Sequence, residues 1–146
     1  MEIVGTVTHL LGEKETHIWT IEPDATVYQA IEMMADKNIG ALPVVNGRRL
    51  LGILTERDYT RKVILKGKSS KNTSVNDIMS KKPIVADSND TVGDCMRLMT
   101  EKHVRHLPIL KDGELMGIVS IGDVVKWIIS AQTATIDQLT KYIYGE

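Results

Sequence analysis

Gly52-Ile53-Leu54-Thr55-Glu56-Arg57-Asp58 decides the fold, because the same frame returns 65 residues later as Gly117-Ile118-Val119-Ser120-Ile121-Gly122-Asp123. In each copy, an apolar pair behind a glycine predicts the end of a buried strand. The hydroxyl residue after it is a good helix N-cap with an acid at the third helical position. Each stretch is therefore predicted to be a strand-to-helix turn. Such a turn favours an anion at the helix N-terminus and places a hydroxyl and a carboxylate within reach of one ligand.

The residues around the first turn predict a unit of strand, helix, strand, strand and helix. Thr26 with Gln29 has the spacing of a capping box that opens the first helix. Asn46-Gly47 between two apolar runs is a strong hairpin signal, although Arg48 and Arg49 suggest a slightly longer loop. The predicted elements cover residues 18–21, 27 to about 38, 41–45, 50–54 and 56–65.

The second copy matches the first without a gap, at turn and polar positions as well as in the core. A repeat of this length cannot readily bury its sheet alone, so two copies are predicted to pack face to face about a pseudo-two-fold axis. The fold class is therefore α/β (α+β), with two similar clefts. The chain divides into an N-terminal helix and lead-in (1–17), repeat 1 (18–66), a linker with a short helix (67–82), repeat 2 (83–130) and a C-terminal helix (131–146).

The two ends of the chain predict further helices. Apolar residues recur at helical spacing over 1–11, and Gly12 is a plausible stop. One helical turn is expected at 76–79. Near the C-terminus, Thr135 and Gln138 again have capping-box spacing, and an amphipathic helix follows. That helix could pack on its own module or across a dimer, and the sequence does not decide between them.

The composition is that of an ordinary globular protein, with 42% hydrophobic and 25% charged residues and a net charge of -1. Tight non-specific binding to nucleic acid is therefore not expected. No apolar run approaches a membrane span, and the first residues lack the pattern of a signal peptide, which predicts a soluble cytoplasmic protein. The single cysteine, Cys95, lies on the apolar face of a predicted helix, where packing is favoured over a functional thiol.

The strands Leu42-Pro43-Val44-Val45 and Leu107-Pro108-Ile109-Leu110, together with the two turns, resemble the paired cystathionine-β-synthase (CBS) domains of a Bateman module. The resemblance covers about residues 18–129, and small stand-alone bacterial CBS-pair proteins have a similar C-terminal tail. It implies an adenosyl ligand such as AMP, ADP, ATP, S-adenosylmethionine or NAD, held in the clefts between the repeats. It also implies that the ligand is sensed rather than converted.

By position, the resemblance assigns ribose contacts to Asp58 and Asp123, and ribose or phosphate contacts to Thr55 and Ser120. A carboxylate suits a diol, because hydrogen bonds to a charged acceptor are stronger than neutral ones. Backbone groups and apolar side chains would enclose the adenine around Thr20, Ile21, Ala41, Leu42, Val85, Ala86, His106 and Leu107. In a plainer interpretation, Thr55 and Ser120 only cap helices.

A phosphate group needs cationic or N–H donors. The candidates are Arg57, Arg61, His103, Arg105, His106 and Lys126. The repeats differ here, since Gly122 stands at the position of Arg57, so two occupied clefts would not bind alike. His103 and His106 could instead suggest a metal, but their spacing brings them together only on a helix, which is expected to end there. No zinc site or other required metal is therefore predicted.

No catalytic constellation is present: the sequence has no nucleophile with a base at motif spacing and no phosphate-binding or dinucleotide fingerprint. We therefore expect a regulatory module and not an enzyme, with AMP or NAD(H) as the leading ligand and ATP or ADP behind them. Homodimerisation through the helix faces at 56–65 and 121–130 is implied by the resemblance, and the output would be an unidentified effector protein. The alternative is a ligand-free dimerisation scaffold, which has no need of an acid at both turns.

Overall fold

The computed structural model describes residues 3–14 and 17–144, and it has the predicted mixed α/β fold with two small sheets. The described helices are α1 Val7–Glu13, α2 Val27–Lys37, α3 Glu56–Tyr59, α4 Val75–Ile78, α5 Val92–Lys102 and α6 Ile121–Tyr144. The described strands are β1 Ala41–Asn46, β2 Arg49–Thr55, β3 Ala86–Asp87, β4 His106–Lys111 and β5 Glu114–Ser120. The duplicated order of elements therefore follows the duplicated sequence.

The first repeat is built on the antiparallel hairpin of β1 and β2. Its register pairs Asn46 with Arg49, so the loop has two residues and the longer loop that was predicted is wrong. Gly47, with φ 63°, takes the first loop position, where a type II′ turn requires a glycine. The strand predicted at 18–21 is reduced to a parallel bridge at Ile21, because Pro23 follows closely and cannot extend a ladder.

The second repeat adds one strand to the same plan. Strand β3 pairs with β4 in parallel, and β4 pairs with β5 antiparallel. The loop residues Asp112 and Gly113 both have positive φ, 52° and 80°, the pattern of a type I′ turn. Capping boxes open α2 and α5, at Thr26 with Gln29 and at Thr91 with Asp94.

Three predicted helices have different bounds in the structure. The first begins at Val7 rather than residue 1, because Gly5 has φ 117° and Thr6 provides the N-cap, and it runs past Gly12. The remainder of that prediction, Met1 and Glu2, lies outside the described residues. The helix predicted at 56–65 is α-helical only to Tyr59 and continues as a π-helical segment, Thr60–Ile64, whose wider turn accompanies the complete burial of Val63.

The prediction of a separate C-terminal helix is also wrong, because α6 runs without a break from Ile121 to Tyr144. The hydroxyl of Thr135 donates to the carbonyl of Ala131 at 3.0 Å, one turn earlier in the same helix. A threonine that bonds backward in this way does not cap a new helix.

Helix α1 packs on the second repeat and helix α4 packs on the first, although each of them precedes the other repeat in sequence. Helix α1 precedes the first repeat in sequence, yet Val7 and Leu10 are buried in the core of the second. Val7 donates to the carbonyl of Asp90 in the second repeat at 3.0 Å. Helix α4, from the linker, joins the core of the first repeat, where Val75 donates to the carbonyl of Ala25 at 2.8 Å. Each repeat is therefore completed by a segment that lies outside its own continuous sequence.

Candidate functional site

A cavity of about 200 Å³ lies between the two repeats, and we call it the first cleft. It brings together six of the predicted site residues, from the turn after β2 and from the segment between α5 and β4. Its lining residues are Ile53, Thr55, Arg57, Asp58, Ser80, Lys82, Pro83, Ile84, His103, Val104, Arg105 and His106. A ligand in this cleft would contact both repeats and the linker that joins them.

The turn at Thr55 and Asp58 is fixed by a complete capping box. The backbone N–H of Asp58 donates to the Thr55 hydroxyl at 3.1 Å, and the N–H of Thr55 donates to Asp58 Oδ2 at 3.0 Å. Asp58 Oδ1 lies 3.2 Å from the ammonium of Lys62, which also donates to the carbonyl of Ile78 at 2.9 Å. The capping interpretation is therefore correct as geometry, and it also holds the carboxylate at the cleft wall.

Most of the charged side chains that line the first cleft are cationic, and the wall opposite Asp58 comes from the second repeat. His103 caps the C-terminal end of α5 in a left-handed conformation with φ 55°, and the chain then passes through Arg105 to His106 in β4. With Arg57 and Lys82, the lining residues carry three permanent cations against the single carboxylate of Asp58. Burial lowers the pKa of His106 below its usual 6.5, and the nearby charge of Asp123 opposes this shift. This balance suits an anionic ligand.

The second copy of the turn has the same capping box but a different neighbour. The N–H of Ser120 donates to Asp123 Oδ2 at 2.8 Å, and the N–H of Asp123 donates to the Ser120 hydroxyl at 3.1 Å. The ammonium of Lys14 lies 2.7 Å from the same carboxylate oxygen and donates to the carbonyl of Ile118 at 2.9 Å. Burial alone would raise the pKa of Asp123, but the bonds from Lys14 and Ser120 outweigh it and lower that pKa.

The carbonyl that Lys14 contacts has a different partner in the first repeat. There the equivalent carbonyl, that of Ile53, accepts from the backbone N–H of Ser80 at 2.9 Å. In the second repeat a charged side chain takes this place and also neutralises the acid. The two turns are therefore alike in backbone and unlike in electrostatics.

The remaining predicted residues lie elsewhere. Thr20 and Ile21 line an open cavity of about 500 Å³ beside α2, and Lys126 lines one of about 360 Å³ with Lys14 and Asp123. Ala41, Leu42, Ala86 and Leu107 are buried in strands, Val85 is half-buried and Arg61 is exposed on the π-helical segment. These residues are not brought into the first cleft, and their roles stay predictions.

Sequence reasoning missed Ser80, Lys82, Pro83 and Ile84 in the first cleft and Lys14 beside the second turn. Lys82 and Pro83 stand where the linker meets the second repeat, a position that could have directed attention to them. Nothing in the local sequence points to Lys14, which reaches Asp123 across 109 positions. Among the described residues, no three metal-ligating side chains gather where they could hold an ion, and none of the helices is long and apolar enough to cross a membrane.

Comparison with known proteins places this geometry in context. The family model of the CBS domain matches residues 14–64 and 75–130. The chain is 44% identical over 127 residues to CBSX3, a mitochondrial CBS domain-containing protein of Arabidopsis thaliana, matching 84% of this chain and 62% of that protein. A solved structure of a protein with CBS domains from Burkholderia ambifaria is 47% identical, with a TM-score of 0.83, over 87% of this chain and 96% of that one.

The same fold occurs in a CBS domain protein from Pyrobaculum aerophilum, whose structure is a complex with AMP. It is 21% identical to this chain, with a TM-score of 0.73, and the match covers 81% of this chain and 88% of that one. At this identity the likeness is one of fold.

Proposed function

Because the chain belongs to the CBS-domain family and carries two CBS repeats, we propose that it is a regulatory module that binds an adenine nucleotide in the first cleft. The observation that carries this proposal is the meeting of Thr55 and Asp58 from one repeat with Arg105 and His106 from the other across a single cavity. A hydroxyl, a carboxylate and several cations together match a ribose and a phosphate.

Each part of the nucleotide has a partner in this proposal. Asp58 accepts hydrogen bonds from the ribose hydroxyls, and Thr55 contacts the ribose or the phosphate. Arg57, Lys82 and Arg105 hold the phosphate, and the apolar side chains of the cleft contact the adenine. The AMP complex of the Pyrobaculum protein supports AMP as the first ligand to test, and NAD(H), ATP and ADP follow.

The size of the cleft suggests how binding would be transmitted. Its volume of about 200 Å³ is below the ~300–1,000 Å³ of usual ligand pockets. A nucleotide would therefore favour an arrangement in which the two repeats stand further apart, and an effector protein would respond to that shift in population.

We assign the nucleotide to the first cleft rather than to the cavity beside Asp123 because of Lys14. Its ammonium already occupies Asp123 Oδ2 at 2.7 Å and comes from the other end of the chain. That contact is short and the Lys14 side chain is only 30% exposed, so the charge of Asp123 is already well neutralised within the protein. At Asp58 the lysine contact is longer, 3.2 Å, and the Lys62 side chain is 45% exposed, so a ligand meets a weaker competitor there even though Lys62 also donates to the carbonyl of Ile78.

The test is a thermal-shift screen against AMP, ADP, ATP, NAD, NADH and S-adenosylmethionine, followed by calorimetric titration of the best ligand. A ligand at 100 times its dissociation constant adds about 2.7 kcal/mol to the free energy of unfolding, which is readily visible. We expect Asp58→Asn, which can still accept the Thr55 N–H, to weaken binding about tenfold or more, equivalent to ~1.4 kcal/mol.

Asp123→Asn is the matched control and should leave the affinity nearly unchanged. Equal losses in the two variants would contradict the assignment to the first cleft. If no adenosyl compound raises the unfolding temperature at millimolar concentration, the ligand-free dimerisation scaffold becomes the better account.

A further inference from the structure

The second half of α6 extends away from the two repeats. Every residue from Ile129 through Ile143 is exposed, including five large apolar ones. The exposed fractions are 58% for Ile129, 62% for Ile136, 56% for Leu139, 87% for Tyr142 and 71% for Ile143. The sequence left open whether this helix packs on its own module, and the described structure shows that it does not.

A helix of this length is not expected to persist unsupported in water. Isolated helices of up to about 12–15 residues are marginal even when rich in alanine, and the exposed segment of 15 residues lies at that limit. This segment also contains Thr133, Thr135 and Thr140, and β-branched residues lower helix propensity. Its stability must therefore come from packing of its apolar face, and the described part of this chain supplies no cover for that face.

The apolar face has two parts that complement each other. The tail stripe consists of Ile129, Ile136, Leu139 and Ile143, which with Gln132 follow the alternating three- and four-residue spacing of a coiled-coil seam. The tail groove is a cavity of about 460 Å³ on the same side of α6, lined by Ile3, Val4, Trp127, Ile128, Ala131, Gln132, Thr135 and Ile136. Trp127 donates to the carbonyl of Val4 at 2.7 Å, which fixes the outer wall of the groove against the helix.

We propose that the occupant is a second copy of this chain, with the two α6 tails packed antiparallel. Ile136 then lies at the two-fold axis and Ile129 of one copy faces Ile143 of the other. The Leu139–Ile143 end of each tail enters the groove of its partner. A parallel pair would bring the two tail ends together and leave both grooves open. The antiparallel arrangement uses both parts of the face in each copy, as an isologous interface requires.

The charges on the tail of α6 and the apolar area that it exposes are both compatible with a second copy of this chain. Between Ile129 and Tyr144 the only charged residues are Asp137 and Lys141, and helical spacing places both on the face opposite the stripe. Two copies therefore meet without like-charge repulsion. Burial of the five exposed apolar side chains in both copies removes roughly 800 Å² from water. The two grooves bring the total toward the ~1,200 Å² at which stable interfaces begin.

Sedimentation equilibrium of the full chain from about 1 to 500 µM tests the proposal. We expect a dimer, and we expect the double variant Ile136→Asp, Leu139→Asp to be monomeric while its repeats stay folded. Ala134→Asp, which adds an aspartate on the opposite face of the same helix, should remain dimeric. A wild-type monomer throughout this range would overturn the proposal. So would a dimer that survives the double variant and is lost in Leu65→Asp, on the helix face that the family resemblance suggests.

Disulfide trapping tests the orientation of the two tails. The native cysteine is buried, so it should not interfere. Ile129 and Ile143 are about 21 Å apart along one helix, too far for a disulfide within one chain. We expect the double variant Ile129→Cys, Ile143→Cys to give a covalent dimer on a non-reducing gel, and Ile143→Cys alone to stay monomeric on that gel. Cross-linking by Ile143→Cys alone would show a parallel pair and overturn the proposed arrangement.

The experiment is independent of the nucleotide site, since neither set of substitutions touches the first cleft. A monomeric variant that keeps its response to AMP would support both proposals. A dimer without any nucleotide response would support this one and contradict the other.

Discussion

Asp58 and Asp123 hold the same position in the two repeats, and a lysine meets each of them from a different part of the chain. Lys62 follows Asp58 by one turn of the same helix, whereas Lys14 reaches Asp123 from the N-terminal segment. The first contact is local and partly exposed. The second ties the end of α1 to the second repeat, and its side chains are only 30% and 22% exposed. The same acid therefore faces a cleft in one repeat and holds a chain segment in the other.

Replacement of Lys14 by methionine should make stability less dependent on pH. The pKa of Asp123 is lowered in the folded state. Its charge therefore stabilises the fold above the unfolded-state value of about 3.9, and this contribution is lost as the pH falls through the folded-state pKa. We expect Lys14→Met to lower the free energy of unfolding by about 1–2 kcal/mol at pH 7 and by less near pH 3. Denaturant unfolding of wild type and variant at pH 7 and at pH 3 measures the two losses of unfolding free energy.

Lys37→Met is a suitable control, because Lys37 contacts only its neighbour Asp36 among carboxylates in the described structure, and that side chain is 71% exposed. The ammonium of Lys37 also lies 4.3 Å from the centre of the Trp19 ring, so we expect a modest loss of stability that is the same at both pH values, because neither of these two groups changes charge between them. An equal loss of stability at pH 7 and pH 3 in Lys14→Met would contradict the role given to its charge.

His106 should give nucleotide binding a pH dependence of its own. Burial lowers its pKa, so the free protein carries a neutral His106 at pH 7.5. If His106 contacts the phosphate, as the sequence suggests by its place among the candidate phosphate ligands, affinity for AMP gains from a protonated His106 as the pH falls below about 6.5. The phosphate of AMP also takes up a proton near pH ~6, which opposes this gain. Comparison of wild type with His106→Gln at each pH isolates the contribution of the histidine.

Calorimetric titrations at pH 7.5, 6.5 and 5.5 make this comparison. The ratio of the two affinities should be near one at pH 7.5 and favour wild type several-fold at pH 5.5. A ratio that does not change over this range would mean that His106 does not contact the phosphate.

At the scale of elements, Gly52 in β2 and Gly117 in β5 give a matched pair. A Cβ at Gly52 would meet the backbone carbonyl of Ser80 and lie 3.0 Å from Met79 Sδ. A Cβ at Gly117 would lie 3.0 Å from Leu11 Cδ2, the far end of a flexible side chain. We expect Gly52→Ala to cost about 2–3 kcal/mol and Gly117→Ala about 1 kcal/mol or less, because only the side chain can give way. Thermal unfolding of both variants measures the difference, and equal costs would contradict this reasoning.

Elements set by local chemistry were predictable, and those set by distant contacts were not. The capping box of Thr26 and Gln29 needs only neighbouring residues, so the start of α2 was correct. Thr135 has the same spacing with Gln138, but its hydroxyl can equally bond one turn backward inside a helix, and it does. Spacing alone cannot distinguish these two uses. The duplicated turn likewise predicted that Thr55 and Asp58 line a cleft. The positions of Lys82 in the first cleft and of Lys14 beside Asp123 depend on packing between distant parts of the chain, which the local sequence does not reveal.

At the scale of the whole molecule, helices α1 and α4 make the two repeats depend on each other. The first repeat cannot be completed without the linker, and the second cannot be completed without the N-terminal segment. Loss of either helix would therefore uncover the core of one repeat.

Leu10 tests this dependence, because it precedes the first repeat in sequence and is 4% exposed in the core of the second. Leu10→Ala should lower the free energy of unfolding by about 2–4 kcal/mol, the usual cost of such a cavity. Hydrogen exchange should accelerate most in α5, β4 and β5, and less in α2, β1 and β2, although the substitution lies nearer to the latter in sequence. Leu65→Ala, at a leucine that is 72% exposed, is the control and should change neither quantity much. Faster exchange confined to α1, with the second repeat still protected, would mean that α1 only lies on a core that is already complete.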